Sequence, residues 1–288
     1  MAYITHLLIL ISLWSMLAVS LNLVIGFTGL LSITHAAFFG IGAYATAILM
    51  TSFGINFFVG LVVGVVVSMF VAWLISLVMR RFSGDYYALV SFGFNIIVFS
   101  IFLNWQEVTR GPLGIPGIKR PEVFGFFFRD NLHFLLLVAV VAALLFALAR
   151  YITRSSLGRA LTAIREDEIA LQVFGYKTEH YKTLVFMVAA GMAAIAGSFF
   201  ASYITFIDPS TFDLQESIFI LAIIILGGLA SHKGAFWGTV FLILLPEVLR
   251  FVGFPTDIAA QMRQVVYGLL LVFLMMYRPQ GMFGTFKL

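Results

Sequence analysis

Apolar runs divide the chain into nine segments, each closed off by charge, glycine or proline: Ile4–Ile25, His35–Thr51, Phe57–Met79, Tyr86–Leu103, Leu132–Ile152, Leu184–Ile204, Phe212–Leu229, Ala235–Val252 and Met262–Tyr277. A helix needs roughly 20 apolar residues to cross a bilayer core ~30 Å thick. In lipid, only a helix or a closed barrel satisfies every backbone N–H and C=O. The runs therefore predict an all-α integral membrane protein, a polytopic bundle of about nine transmembrane helices (eight to ten) in one domain over residues 1–288. The second and fourth runs are short and glycine-rich, which fits a broken or re-entrant segment as well as a plain span. The opening "MAYITHLLILISLWSMLAVSLNLVIG" has no basic leader region and no A-x-A cleavage site, so it reads as the first span, retained in the mature protein.

Composition agrees. The chain is 62% hydrophobic and 10% charged, against about 25% charged in soluble domains. Its 17 Lys and Arg exceed its 13 Asp and Glu. The basic residues sit scattered at the ends of apolar runs, which points to a membrane-face bias and not to nucleic acid. Placing the Arg80–Arg81 loop in the cytoplasm puts 11 of the 17 there and leaves Arg110, Lys119, Arg120, Arg129, Arg250 and Arg263 on the other side. That predicts an outer N-terminus and an inner C-terminus. The long stretch Asn104–Asn131 is then extracytoplasmic, and Thr153–Thr183 is cytoplasmic. The Pro and Gly of "TRGPLGIPGIKRP" argue against a regular helix and for a compact, stiff turn. Cysteine is absent, which excludes disulfides and thiolate metal sites.

Charge gathers instead in the middle of the chain, in "SSLGRALTAIREDEIALQVFGY" (Ser155–Tyr176). This stretch is too polar to cross a membrane. Leu157, Leu161, Ile164 and, less regularly, Leu171 share one helical face, Arg165–Glu168 form a polar turn, and Gly175 ends the run. The pattern predicts one amphipathic helix, or two short ones, on the cytoplasmic side. A helix lying on lipid would be dominated by Lys and Arg. Here Glu166, Asp167 and Glu168 stand in a row, which favours a protein partner. On this reading the apolar ridge seats in the partner's cleft, while Arg159, Arg165, Glu166, Asp167 and Glu168 fix the register and transmit motion. Reversing the three acids is then expected to leave the spans folded, because no buried group is disturbed.

Polar groups at membrane depth mark transport paths by default. Asn22, Asn95 and Glu247 are the candidates, with Tyr86 at the cytoplasmic mouth of the fourth run. Each has a structural alternative. The asparagines can bond a kink or a neighbouring helix. Pro246 breaks its helix and leaves Glu247 to pair with Arg250 one turn on, and Asp85–Tyr86 can simply start a helix. "GLVVG" (Gly60–Gly64) and "GAFWG" (Gly234–Gly238) let helix backbones approach, either in ordinary packing or at a moving gate, and such faces are expected to need a partner permease. "GIGAYA" (Gly40–Ala45) fits a dinucleotide pattern but lies in an apolar span with no βαβ unit, so it reads as close packing. No P-loop motif is present, the five histidines lack metal-ligand spacing, and no Ser/His/Asp set can be assembled. The chain is expected to be no enzyme, with no cofactor or metal of its own.

Several blocks occur in a familiar order: "SLNLVIGFTGLLSITHAAFFGIGAYATAIL" (Ser20–Leu49), "SGDYYALVSFGFNIIV", "NWQEVTRGPLGIPGI", the Ser155–Tyr176 stretch, "ILGGLASHKGAFWGTV", "LLPEVLR" and "YRPQGMFG". Through them nearly the whole chain resembles a branched-chain amino-acid ABC transporter permease of the longer, LivM-type subunit. The resemblance implies a type II importer fold, sited in the inner (cytoplasmic) membrane, translocating branched-chain or related hydrophobic amino acids. It implies a second, LivH-like permease subunit, two LivG/LivF-like ATPase subunits that use the ATP, and an extracytoplasmic substrate-binding protein. It makes Arg159–Gly175 the element that couples to the ATPase. The chain departs from the resemblance at Asn95-Ile96, where relatives carry Gly-Glu, and at Ala230 and His232-Lys233. The same architecture importing urea, short amides or another small solute stays an alternative. A secondary carrier and a channel are the readings from other classes. A carrier needs acidic coupling groups within its spans and usually a repeat.

Overall fold

The computed structural model describes residues 2–251 apart from 83, 124, 125 and 129, and beyond them residues 265–266, 268–269, 272–273, 276 and 280–284. The helices are α1 (Ala2–Thr28), α2 (His35–Ser52), α3 (Phe57–Met79), α4 (Asp85–Asn104), the short α5 (Gln106–Thr109), α6 (Asn131–Arg154), α7 (Ser156–Glu166), α8 (Glu168–Val173), α9 (Thr178–Ile204), α10 (Leu214–Gly227) and α11 (His232–Phe251). Among the described residues, seven segments are long and apolar enough to cross a membrane: α1, α2, α3, α4, α6, α9 and Pro209–Gly227, which ends in α10. They coincide with the first seven apolar runs, and the protein is a multi-pass, all-α membrane protein. The eighth run is part of α11. The ninth, Met262–Tyr277, lies for the most part outside the described residues.

Helix starts follow from side chains that occupy otherwise orphaned N–H groups. Asn56 accepts from Phe58 N at 2.9 Å to open α3, and Asp213 accepts from Glu216 N at 3.1 Å to open α10. Pro246, expected to break its helix, lies inside α11, which runs on to Phe251. A proline costs one ladder bond, and a membrane-type helix tolerates that where neighbours re-satisfy the freed carbonyl.

Burial separates a centre from a rim. In α1 and α9, 78% of the span is buried, whereas in α3 and α6 the figure is 22%. The centre closes through glycine. Gly42 of α2 lies against the Ala194 backbone of α9, and Gly197 of α9 lies against the Phe39 carbonyl of α2, so a Cβ at either would strike main chain. A Cβ added at Gly60 or Gly64 of α3 would meet Thr46 or Gly42 at 3.3 Å, while Gly234 and Gly238 of α11 pack on Gly227 and Ile223 of α10. These small-residue faces are thus filled within the chain, which removes them as evidence for a partner permease. The outward face of α3 carries Val59, Val62, Val66, Phe70 and Trp73, as a lipid-facing helix should.

The long Pro/Gly stretch is compact. After α5 comes a 3-10 turn (Gly111–Leu113), then β1 (Ile115–Pro116), and a hairpin of β2 (Glu122–Val123) and β3 (Phe126–Phe127). β1 pairs antiparallel with β4 (Phe206–Ile207), and the Gly117 and Ile118 N–H groups donate to the Thr205 carbonyl at 3.1 and 3.3 Å. Its short helix precedes Pro112, so the prolines exclude helix only from their own stretch.

Candidate functional site

Two places hold most of the sequence candidates. The first is a break between α1 and α2. Helix α1 ends at Thr28, Gly29 turns the chain with φ 72°, and residues 29–34 run without regular structure to the buried N-terminus of α2. At the turn, Gly29 lies against the Arg165 side chain of α7. By Ile33 the chain has reached Asn95, ten residues into α4 and so roughly 15 Å along it, about half the thickness of a hydrocarbon core. The break thus climbs from one end of the bundle towards its middle.

Irregular backbone at that depth must find partners elsewhere. It does so on two neighbouring helices. Ser91 accepts from Ile33 N at 2.9 Å while donating to Ala88 O. Asn95 Nδ2 donates to Ile33 O at 2.9 Å and to Ser217 Oγ at 2.6 Å, and Ser217 Oγ accepts from Ala36 N at 3.0 Å. Within the break, Ser32 and Thr34 hydroxyls bond at 3.0 Å. Asn22 makes a parallel contact on α1: its Oδ1 accepts from Ala230 N at 3.0 Å, in the link between α10 and α11 where Ala230 has φ 59°. Both asparagines are fully enclosed, and among the described residues each retains one amide atom with no hydrogen-bond partner, Nδ2 of Asn22 and Oδ1 of Asn95.

The other two path candidates lie apart. Tyr86 is exposed and sits nine residues before Asn95, half a turn out of phase and hence on the opposite face of α4. Glu247 is half-buried, fifteen residues beyond His232 and roughly 22 Å further along α11. Its expected partner Arg250 has a side chain outside the described residues. Sequence reasoning passed over Glu216, whose Oε1 accepts from Trp14 Nε1 of α1 at 2.6 Å. The signal was available: Asp213-x-x-Glu216 has capping-box spacing at the start of a run. Ser91 and Ser217 were also missed, because a serine in an apolar run gives no periodic signal.

The second place is the corner formed by α7 and α8. The charged stretch makes two short helices, split at Asp167, whose Oδ1 accepts from Ala170 N at 2.9 Å and caps α8. Gly175, with φ 85°, ends α8 through bonds from Gly175 N to Gln172 O and Tyr176 N to Leu171 O, a left-handed closure that a side chain would strain. The apolar ridge of α7 points inward: Leu161 and Ile164 are buried in the bundle. The outward apolar surface belongs to α8 and its end, where Ile169, Val173 and Phe174 are 75%, 82% and 80% exposed. That corrects the expected ridge.

The charges also differ from expectation. Arg165 is only 10% exposed, pairs with Glu166 at 2.7 Å, and donates from Nη1 to Gly26 O at 2.8 Å, near the end of α1. Glu168 binds Lys182 Nζ at 2.5 Å and accepts from Thr178 Oγ1 at 2.9 Å, both on α9. The three acids therefore build the corner, and reversing them would remove a helix cap and the tie to α9. Arg159 is exposed on α7.

Residues 3–275 match the family described as branched-chain amino acid transport system / permease component. The chain is 34% identical to the high-affinity branched-chain amino acid transport system permease protein LivM of Salmonella typhimurium, over 92% of this chain and 66% of that protein. With LivM of Escherichia coli it shares 33% identity over the same shares. It is also similar to the permease protein LivH of Escherichia coli, at 26% identity over 95% of this chain and 92% of that protein. The alignment thus spans about two thirds of the length of the LivM relatives. No solved structure matches the chain.

Proposed function

The chain belongs to the branched-chain amino acid transport system permease family, and from that premise we propose that it is one pore-forming subunit of an ATP-driven importer in the cytoplasmic membrane. A permease component is not itself a catalyst. The cargo on this reading is a branched-chain or related hydrophobic amino acid, delivered by an extracytoplasmic binding protein. A second permease subunit completes the pore, and two ATPase subunits hydrolyse ATP.

One observation supports the division of labour. The corner that exposes Ile169, Val173 and Phe174 is bonded to both central helices, to α1 through Arg165 and Gly26 O, and to α9 through Glu168 and Lys182. A subunit with no nucleotide motif must receive work through a contact of this kind. The α8 surface seats on the ATPase, and the two polar ties carry its displacement to α1 and α9. Helix α1 leads directly into the break that Asn95, Ser91 and Ser217 hold, so the same displacement reaches the middle of the bundle.

Reconstitution tests the reading. Liposomes holding both permeases, the ATPases and the binding protein should take up leucine on addition of ATP, and liposomes holding this chain alone should not. Uptake by the single chain overturns it. The absence of cysteine makes orientation separately measurable. A cysteine at Leu113, which is 84% exposed, should react with an impermeant reagent in whole cells, and one at Ser156 should not.

A further inference from the structure

A crevice of about 280 Å³ lies between α3 and α9 at the end of the bundle shared with α7 and α8, lined among others by Trp73, Leu77, Arg80, Glu179, His180 and Met187. Its walls change character over a short distance. Towards the bundle they are apolar: Leu77 on one side, Leu184 and Met187 on the other. They continue the outward apolar stripe of α3, on which Trp73, Leu74 and Val78 are all exposed. At the mouth they are basic. Arg80 donates from Nη1 to Glu179 Oε2 at 3.2 Å, with both side chains about half exposed. A guanidinium has five N–H donors, so one carboxylate does not exhaust it. Arg81 and Lys177 are exposed beside the mouth, and neither forms an ion pair among the described residues. Opposing charge comes from Glu179, already bridged, and from Asp85, exposed at the start of α4; Lys182 is engaged by Glu168. The N-terminus of α9, a 27-residue helix, adds the positive end of its dipole at Thr178.

An apolar slot opening on the lipid-facing rim, with Trp73 on its apolar wall and surplus cations at its mouth, fits an anionic amphiphile. We propose that this crevice seats the phosphate headgroup of an anionic phospholipid, with the first part of an acyl chain along Leu77, Leu184 and Met187. The bound lipid joins the rim helix α3 to the central helix α9, next to the tie between Lys182 and Glu168. The proposal does not rest on the transport reading, since it needs only a chain that sits in a bilayer.

The test uses the full chain in nanodiscs of phosphatidylcholine, with and without phosphatidylglycerol. Native mass spectrometry reads retained lipid and a thermal melt reads stability. Phosphatidylglycerol should remain bound and raise the melting midpoint, and inorganic phosphate at equal concentration should do neither. Arg80→Gln with Arg81→Gln should weaken phosphatidylglycerol retention by about twenty-five-fold, and Arg81→Gln alone by about fivefold. Arg81 has no ion pair to lose among the described residues, so the single variant keeps the test valid if the double one misfolds. Equal retention of the two lipids, or retention unchanged in Arg81→Gln, overturns the site. Displacement of the lipid by inorganic phosphate overturns the lipid assignment and leaves a soluble-anion site.

Discussion

The centre of the bundle and the α7–α8 corner invert the usual rule of what is buried. At the centre, polar side chains are enclosed: Asn22, Asn95, Ser91 and Ser217 sit in an apolar interior because a stretch of backbone there has no ladder of its own. At the corner, Ile169, Val173 and Phe174 face outward because charged neighbours hold the helices that carry them. In each place the exceptional residue is explained by its neighbours, backbone at the centre and charged side chains at the corner, and not by its own hydropathy. Asn95 and Ser91 are buried because they serve a broken backbone, while Ile169, Val173 and Phe174 are exposed on a helix held away from the bundle's interior.

The sharpest way to break the contrast is to crowd the centre. Gly197→Leu would drive a side chain into the Phe39 carbonyl, and main chain cannot step aside as a side chain can. The expected cost is about 3 kcal/mol or more, read as loss of the monodisperse species in detergent and a lower melting midpoint. Gly93→Leu on the open face of α4, where an added Cβ meets nothing within 4 Å, should leave both unchanged. Next comes the polar set. Asn95→Leu leaves the Ile33 carbonyl without its donor, and a buried unsatisfied group costs about 1–3 kcal/mol. Melting should shift accordingly, and amide exchange should rise around residues 29–36. Unchanged exchange there would mean that the break is held by other bonds. The smallest effect on folding belongs to the corner: Val173→Asp with Phe174→Asp should alter stability by no more than ~0.5 kcal/mol. The same pair should lower substrate-stimulated ATP hydrolysis of the reconstituted assembly at least about tenfold, in line with loss of an apolar anchor worth ~1.4 kcal/mol or more. Full coupled activity in this double variant would remove α8 as the contact.

Hydropathy made the spans readable because a membrane helix must be apolar over its whole length, and seven runs matched seven helices within a few residues. The division of the charged stretch was half readable. Its composition excluded a span and Gly175 marked an end, but which ridge faces outward depends on whether α7 or α8 meets the bundle, and that is decided by Arg165 reaching Gly26 O, 139 positions away. The break before α2 was nearly invisible. "TGLLSITHA" showed only as a gap between the first two apolar runs, and the residues that hold it open lie on α4 and α10. Asn95 and Asn22 stood out as polar residues within spans, yet which backbone each serves is a matter of tertiary contact. Pro246 misled because proline's cost was judged as in water, where a freed carbonyl turns to solvent instead of to a neighbouring helix.

The way the break is held has an evolutionary consequence. An ordinary helix keeps its shape under most substitutions, because its bonds run between backbone groups that every residue type shares. The break and the first turn of α2 depend instead on Ser91, Asn95 and Ser217, one pair on α4 and the third on α10, with Asn95 and Ser217 bonded to each other. A change at one of these positions strands a group that the other two cannot reach. Drift at the three is therefore expected to be coupled, a replacement at one costing least when its bonded neighbour changes with it.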